Sequence, residues 1–425
     1  MSTNEKGLEL IPKELTSKVL ITLGLLILVR IGTFIPVPGI DQEYLSNFIK
    51  NSPISGFLNT FSGGGTFVIG IFTLNIFPYI NASILMQLLV SIVPSLEKLQ
   101  KEEGAAGRRK ITQITRLISL GWAILQSTSI AFFLKSILFN WNLNFAFEII
   151  LCLTVGSMIV MWISEIITEH GIGNGASLLI FTNIVSNLPN LAKNLLSDQT
   201  TTISFASKIL ITLVFFIAIS GIVYLQEGVR MVPLVSSKEL NVTEKGFAND
   251  LGTANYIPLR LNQAGVMPII FTAALLVLPV YILNSGLLPI ISIEFLAKFS
   301  KILYWIAYFS LILGFSYFYS TIVLNPKDIS NDLRKMAVTV PGIRPGESTT
   351  YFFKETMTRI TFIGAIFLAT IATLPNVIEG LLNISNLKGL GTTSLLILVG
   401  VTIDTTREVR SVILSNIYKD MVKSK

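Results

Sequence analysis

Long apolar runs alternate along this chain with short stretches rich in lysine, arginine, glycine and proline. The runs fall at Val19–Ile35, Gly70–Val93, Ile114–Leu134, Phe145–Ile163, Ala176–Leu191, Ile209–Leu225, Val266–Leu283, Ile302–Leu324, Ile360–Ile378 and Ser394–Ile403. A helix needs roughly 20 such residues to cross a hydrocarbon core. The fifth and tenth runs are short. The tenth is expected to continue as a helix through Asp404, Arg407 and Glu408, whose spacing allows i,i+3 and i,i+4 pairs. The pattern predicts an all-α polytopic membrane protein with ten transmembrane helices.

Composition agrees. Mean hydropathy is +0.68, 51% of residues are hydrophobic and 13% are charged, where a soluble domain carries about a quarter charged. Cys152 is the only cysteine, which excludes a disulfide framework and a cysteine-based metal site. His170, also the only one of its kind, reads as a polar residue at a span's end. No Walker A pattern, HExxH, cysteine–histidine cluster or nucleophile elbow occurs, so neither enzyme activity nor a cofactor is expected. The N-tail mixes Glu5, Glu9 and Glu14 with Lys6, Lys13 and Lys18, unlike an acid-poor transit peptide, and the chain reads as mature from its first residue.

Charge sets an expected orientation. With ten spans both termini share a side. The N-tail, the second–third, sixth–seventh and eighth–ninth loops and the C-tail together hold 24 of the 32 lysines and arginines. Cationic loops stay on the cytoplasmic face, so both termini are expected there or on its organellar equivalent.

Ten spans divide into five and five, and an odd number per half inverts the second half relative to the first. Two functional classes fit that plan, a channel and a secondary transporter. Ion-coupled transporters carry ionisable groups near the midplane. Here only Arg30 lies well inside a run, with Glu148, Glu165 and Asp404 at boundaries, which favours the channel.

Some segments exceed what span-making requires. Arg30 suggests either an internal hydrogen bond or snorkelling on one side, or a polar contact lining a pathway on the other. The stretch from Phe57 to Val68 (FLNTFSGGGTFV) is too apolar for a surface loop and too short to span, as a re-entrant segment would be. Pro78 is expected to kink the second span, where Asn75, Asn81, Ser83 and Gln87 fall at helical spacing. Gly171-Ile-Gly173-Asn174-Gly175 reads as a tight turn between two apolar helices, not as a dinucleotide site. In the eighth–ninth loop, Arg344 is held between prolines and glycines, like a shaped tip offering one charge to a partner. Such basic loops suit anionic lipid, RNA phosphate or acidic protein surfaces.

Eight ordered stretches then resemble the SecY family of protein-translocase channel subunits: RIGTFIPVPGID from Arg30, FSGG from Phe61, Ile71–Gln87, EEGAAGRRKI from Glu102, MWISEIITEHGIGNGASLLIF from Met161, PLRLNQAGVMPIIF from Pro258, Phe318–Gly346, and GTTSLLILVGVTID from Gly391. The resemblance implies two inverted five-helix halves around a central pore that opens laterally between the second and seventh spans. It implies a pore ring of Ile76, Ile80, Ala176, Ile180, Ile270 and Ile397. Ala176 departs from the bulky aliphatic usual at its position. A re-entrant plug would lie in about 57–67, with Phe57, Leu58, Phe61, Ser62, Gly63 and Gly64. Asn75, Gln87 and Asn262 would serve the lateral gate, and Arg344 with Arg108 and Arg109 would dock a SecA motor or a ribosome. An apolar constriction gates by dewetting and offers no fixed hydrogen bonds to a sliding polypeptide.

The expected layout is an N-tail over 1–18, an N-terminal half over 19–195, a C-terminal half over 196–414 with loops at about 226–262 and 325–359, and a C-tail over 415–425. Expected partners are a SecE-like small subunit, a SecG-like subunit, SecA, the ribosome, preproteins with signal sequences, and membrane lipid. GWAILQS and LEKLQKEEGAAGRRK look closest to the cyanobacterial and plastid branch, which implies a thylakoid membrane first and a bacterial inner membrane second.

Overall fold

Apolar runs this long can satisfy their backbone polar groups within lipid by closing hydrogen bonds inside each segment, which makes helix the default. The computed structural model describes residues 13–38, 69–101, 104–135, 142–197, 205–236, 256–263, 265, 267–269, 272, 293–323, 325–382 and 392–423. Its helices are α1 (Lys13–Phe34), α2 (Phe77–Ile92), α3 (Pro94–Lys101), α4 (Gly104–Lys135), α5 (Leu143–His170), α6 (Gly175–Ser197), α7 (Phe205–Glu227), α8 (Ile293–Val323), α9 (Pro326–Lys335), α10 (Glu347–Leu382) and α11 (Thr392–Lys423). Nine of the ten expected spans thus coincide with a helix among the described residues. The expected seventh span, Val266–Leu283, lies almost wholly outside them.

By length and composition, α1, α5, α8 and α10 are apolar enough to cross a membrane, and α2 with α3 forms a further candidate bent by 105°. The bend has a local cause. Val93 caps α2 in an extended conformation (φ −98°, ψ 108°) and Pro94 opens α3. Glu97, Lys98 and Lys101 then make α3 too polar to continue the span. α4 is more polar than its neighbours, yet its hydroxyls are met within the helix. Thr115, Ser119, Ser127 and Thr128 each donate to a carbonyl three or four residues back, at 2.7–3.1 Å.

Pro78 does not kink the middle of a helix. Residues 71–76 form successive turns closed by Thr73 N–H to Gly70 O (3.1 Å), Asn75 N–H to Phe72 O (2.9 Å) and Phe77 N–H to Leu74 O (3.4 Å). Helix α2 starts only at Phe77, so Pro78 sits in its first turn, where a missing N–H costs nothing.

The chain separates into two compact units. One comprises 1–200, 386–390 and 401–425; the other comprises 201–385 and 391–400, so the division falls inside α11. In the first unit α2 packs on α3 and α4, α4 on α5, α5 on α6, and α1 on α5 and α6. Its core includes Val37, Leu74, Ala131, Ile149 and Leu153.

In the second unit α10 packs on α7, α8 and α9, and a buried hydrogen bond of 2.7 Å joins Ser320 of α8 to Thr361 of α10. Two short antiparallel ladders also occur here. Strand β1 (Val229–Pro233) pairs with β3 (Tyr256–Arg260), setting Val229 opposite Arg260, and β2 (Val235–Ser236) pairs with β4 (Val338–Thr339). The second ladder ties the sixth–seventh loop to the eighth–ninth loop. Both close over one apolar core of Val232, Leu234, Leu259, Leu333, Val340, Phe353, Met357 and Ile360.

Candidate functional site

The expected ring residues of the first unit fall at the starts of two helices. Ile76 caps the N-terminus of α2 and is fully buried, and Ile80 follows one turn later, its N–H bonded to Ile76 O at 3.1 Å. Ala176 and Ile180 occupy the first two turns of α6 and are half-buried. These pairs are i,i+4, so each lies on one side of its helix. Leu179, beside Ile180, is 2% exposed. Ile397 is buried in the part of α11 that belongs to the second unit. Ile270 lies outside the described residues, as do the plug positions Phe57, Leu58, Phe61, Ser62, Gly63 and Gly64.

The described residues on either side of 39–68 are tied together. Pro36 and Gly70 form an antiparallel bridge, with Val37 N–H to Ile69 O and Ile71 N–H to Ile35 O both at 3.0 Å. Glycines make this joint possible. A Cβ at Gly32 would strike the Phe72 ring, and one at Gly70 would strike the carbonyl of Thr33. On the other side, the backbone of Ile71 lies directly on Gly156 of α5, and Ser157 Oγ donates to Asn75 O at 3.2 Å. The end of α1, the turns before α2 and the middle of α5 form one joint.

Asn75 is 3% exposed and its backbone is left-handed, with φ 48°. Gln87 is exposed on α2. Asn262 is half-buried and its amide donates to Gly265 O at 2.9 Å, closing a local turn before the seventh span. Arg30 takes an internal hydrogen bond: its Nη2 donates to Ser186 of α6, and its guanidinium lies 4.8 Å from the centre of the Phe34 ring.

The glycine-rich stretch is indeed a tight turn. Asn174 Oδ1 accepts the backbone N–H groups of Ala176 (3.0 Å) and Ser177 (3.3 Å), capping the helix that carries Ala176 and Ile180. Thr22 of α1 accepts Ile172 N–H at 3.0 Å, and Thr168 of α5 accepts Gly175 N–H at 2.9 Å. The α6 start is therefore held from two neighbouring helices. Arg116 of α4 grips Glu165 of α5 through two nitrogens, at 2.9 and 2.8 Å, a bidentate brace near the same end.

The second unit presents the shaped tip. Ile343 N–H bonds to Val340 O at 3.1 Å, with Pro341 and Gly342 (φ 78°) between them, the residue types a type II turn requires. Ile343 packs against the loop core while Arg344 is exposed. Thr349 Oγ1 donates to Arg344 O at 2.8 Å and Ser330 Oγ to Gly346 O at 2.9 Å, so the tip is braced from α9 and α10. Arg108 and Arg109 are exposed in the first turns of α4.

Sequence reasoning missed the joint at residues 35–37 and 69–71 and the two ladders. The pair Gly156-Ser157, small residues amid large apolar ones, was the available sign of a close approach.

The protein-family model described as SecY matches residues 70–406. The chain belongs to the SecY family. The protein translocase subunit SecY of Trieres chinensis is 56% identical over 414 residues, covering 96% of this chain and 97% of that one. Its counterpart in Porphyra purpurea is 48% identical over 417 residues, covering 96% and 99%. A solved SecY structure, reported for a plug domain that stabilises the closed translocation channel, superposes with a TM-score of 0.63 at 18% identity and covers 93% of this chain and 92% of that one. The SecY fold, that of a multi-pass membrane channel, is thus common to all of them.

Proposed function

We propose that this chain is the pore-forming subunit of a preprotein translocase, conducting unfolded polypeptides across the membrane and releasing apolar segments sideways into lipid. The carrying observation is the near end-to-end match to translocase subunits of the same length. The apolar ring is assigned to Ile76, Ile80, Ala176, Ile180, Ile270 and Ile397, the plug to about 57–67, and the lateral gate to Asn75, Gln87 and Asn262. The fixed starts of α2 and α6 support the ring, because a seal needs side chains that do not drift.

Arg344 is the docking charge for a SecA-type motor or a ribosome, with Arg108 and Arg109 beside it in role. Its support is an exposed guanidinium on a loop pinned by two side-chain hydrogen bonds and an apolar core. The partners are a SecE-like clamp, a SecG-like subunit and preproteins with signal sequences. The membrane is the thylakoid, with both termini on the stromal side, in keeping with the basic loops and with the branch that the sequence resembles. The N-terminal half is taken as 19–195 and the C-terminal half as 196–414.

The test is reconstitution with a SecE partner and SecA, followed by protease protection of a preprotein in vesicles. ATP-dependent protection is expected. Its absence where a bacterial translocase works rejects the function. Arg344→Glu is expected to impair motor-driven transport without unfolding the chain, and normal transport removes that docking role.

A further inference from the structure

Asn75 carries two unfavourable features at once. It is a non-glycine residue at φ 48°, and its side chain is buried with Oδ1 unpartnered among the described residues. Backbone outliers of this kind persist only where the surroundings over-determine them, and they concentrate at working parts of proteins. Among the described residues no hydrogen bond to Oδ1 accounts for the residue. The backbone angle does. After glycine, asparagine tolerates the left-handed region best.

We propose that Asn75 is a positioning residue, a left-handed pivot that sets where α2 begins and so aims Ile76 and Ile80 into the constriction. This rests on the ring and the lateral gate assigned above, and places the contribution of Asn75 to both in its backbone angle, which glycine would keep. Upstream, Gly70 and Ile71 are fixed by the bridge to Ile35–Val37 and by the close approach to Gly156. The turns over 71–76 wind with i to i+3 bonds, at three residues per turn. Were residue 75 right-handed, those turns would run on into α2 as one rod. Ile76 would then take its direction from the anchored strand at 69–71. The reversal at Asn75 uncouples the two directions, and Ser157 holds the reversed carbonyl at 3.2 Å. Helix α2 can then start at Phe77 with Pro78 in its first turn.

The test uses the full chain, reconstituted in vesicles with its partner subunits, and reads resting ion leak with a potential-sensitive dye. Asn75→Val is β-branched, a true outlier at positive φ. Asn75→Gly keeps the angle and deletes the side chain. Ile76→Asn is the control for the ring. The valine variant is expected to leak several-fold more than the parent, toward the level of Ile76→Asn, with the glycine variant within twofold of the parent. Asn75→Ala replaces the valine variant if that fails to insert.

A tight valine variant beside a leaky Ile76→Asn overturns the pivot and leaves the ring standing. A glycine variant as leaky as valine overturns it too, since the side chain would then be what matters. A tight Ile76→Asn removes the ring, and the pivot with it. A lowered unfolding midpoint without leak marks a merely structural residue and also refutes the proposal.

Discussion

The same substitution at two helical glycines should move stability in opposite directions. Gly121 of α4 is exposed and a Cβ there meets nothing within 4 Å. Gly121→Ala therefore keeps only the backbone advantage of alanine in a helix, about 0.5–1 kcal/mol. Gly156 of α5 has the same helical advantage and no room. A Cβ there would lie 2.9 Å from the carbonyl carbon of Ile71, and closer still to its oxygen, where ordinary contact begins at 3.4 Å.

For its carbonyl oxygen to reach ordinary contact, the Ile71 backbone would have to retreat by about 1 Å or more. It is already bonded to Ile35 across the bridge. Overpacking of this kind costs about 1–3 kcal/mol. Displacing the next residue's bond, Ser157 to Asn75, adds about 0.5–1.5 kcal/mol. After the helical gain, Gly156→Ala should lose about 2 kcal/mol. The measurement is the denaturation midpoint of both variants in detergent, with the parent alongside. A Gly156→Ala protein as stable as Gly121→Ala would show that the backbone contact at Ile71 is not tight, and the joint of α1, α2 and α5 would fall.

Phe353 is fully buried under both loops, and Phe353→Ala should cost about 3–5 kcal/mol of that core. New protease cuts should appear within 229–236, 256–260 and 326–346 while α7, α8 and α10 stay protected; unchanged loops would refute the shared core. Asn174→Ala removes a cap accepting two N–H groups and should lower stability by about 0.5–2 kcal/mol, with Asn174→Asp close to the parent by thermal unfolding. Ser186→Ala removes one acceptor from Arg30. A bond to a charged group is worth about 1.5–3 kcal/mol, so an unchanged midpoint in detergent would mean that the α1–α6 tie is not made.

The spans were legible because lipid leaves the backbone few choices, and an apolar run reports its own burial. The tight turn at Gly171–Gly175 was legible for a similar reason, since closely spaced glycines between two apolar helices admit little else. The position of α2's start was not. Gly70–Val93 reads as one hydrophobic stretch, and hydropathy is blind to the left-handed residue that interrupts it. Hydropathy alone therefore puts Pro78 in a helix interior, whereas it occupies a first turn. The loop strands escaped because they are two to five residues long and pair across the chain. Val229–Pro233 and Tyr256–Arg260 alternate only weakly, and β2 takes its partner from another loop altogether. Arg344 stood out for its prolines and glycines, yet Ser330 and Thr349, which brace it, carry no mark in the sequence.

The pairing of Val235 with Thr339 and of Ser236 with Val338 also sets an order of events during synthesis. The sixth–seventh loop emerges first, with Val232, Leu234 and Leu259 awaiting Leu333, Val340 and Phe353. About 100 residues separate the two, which is roughly 5–20 s at ordinary elongation rates. Until the eighth–ninth loop and the start of α10 have been made, the ribbon stands without its floor. Its apolar residues then need shelter from something other than their own chain.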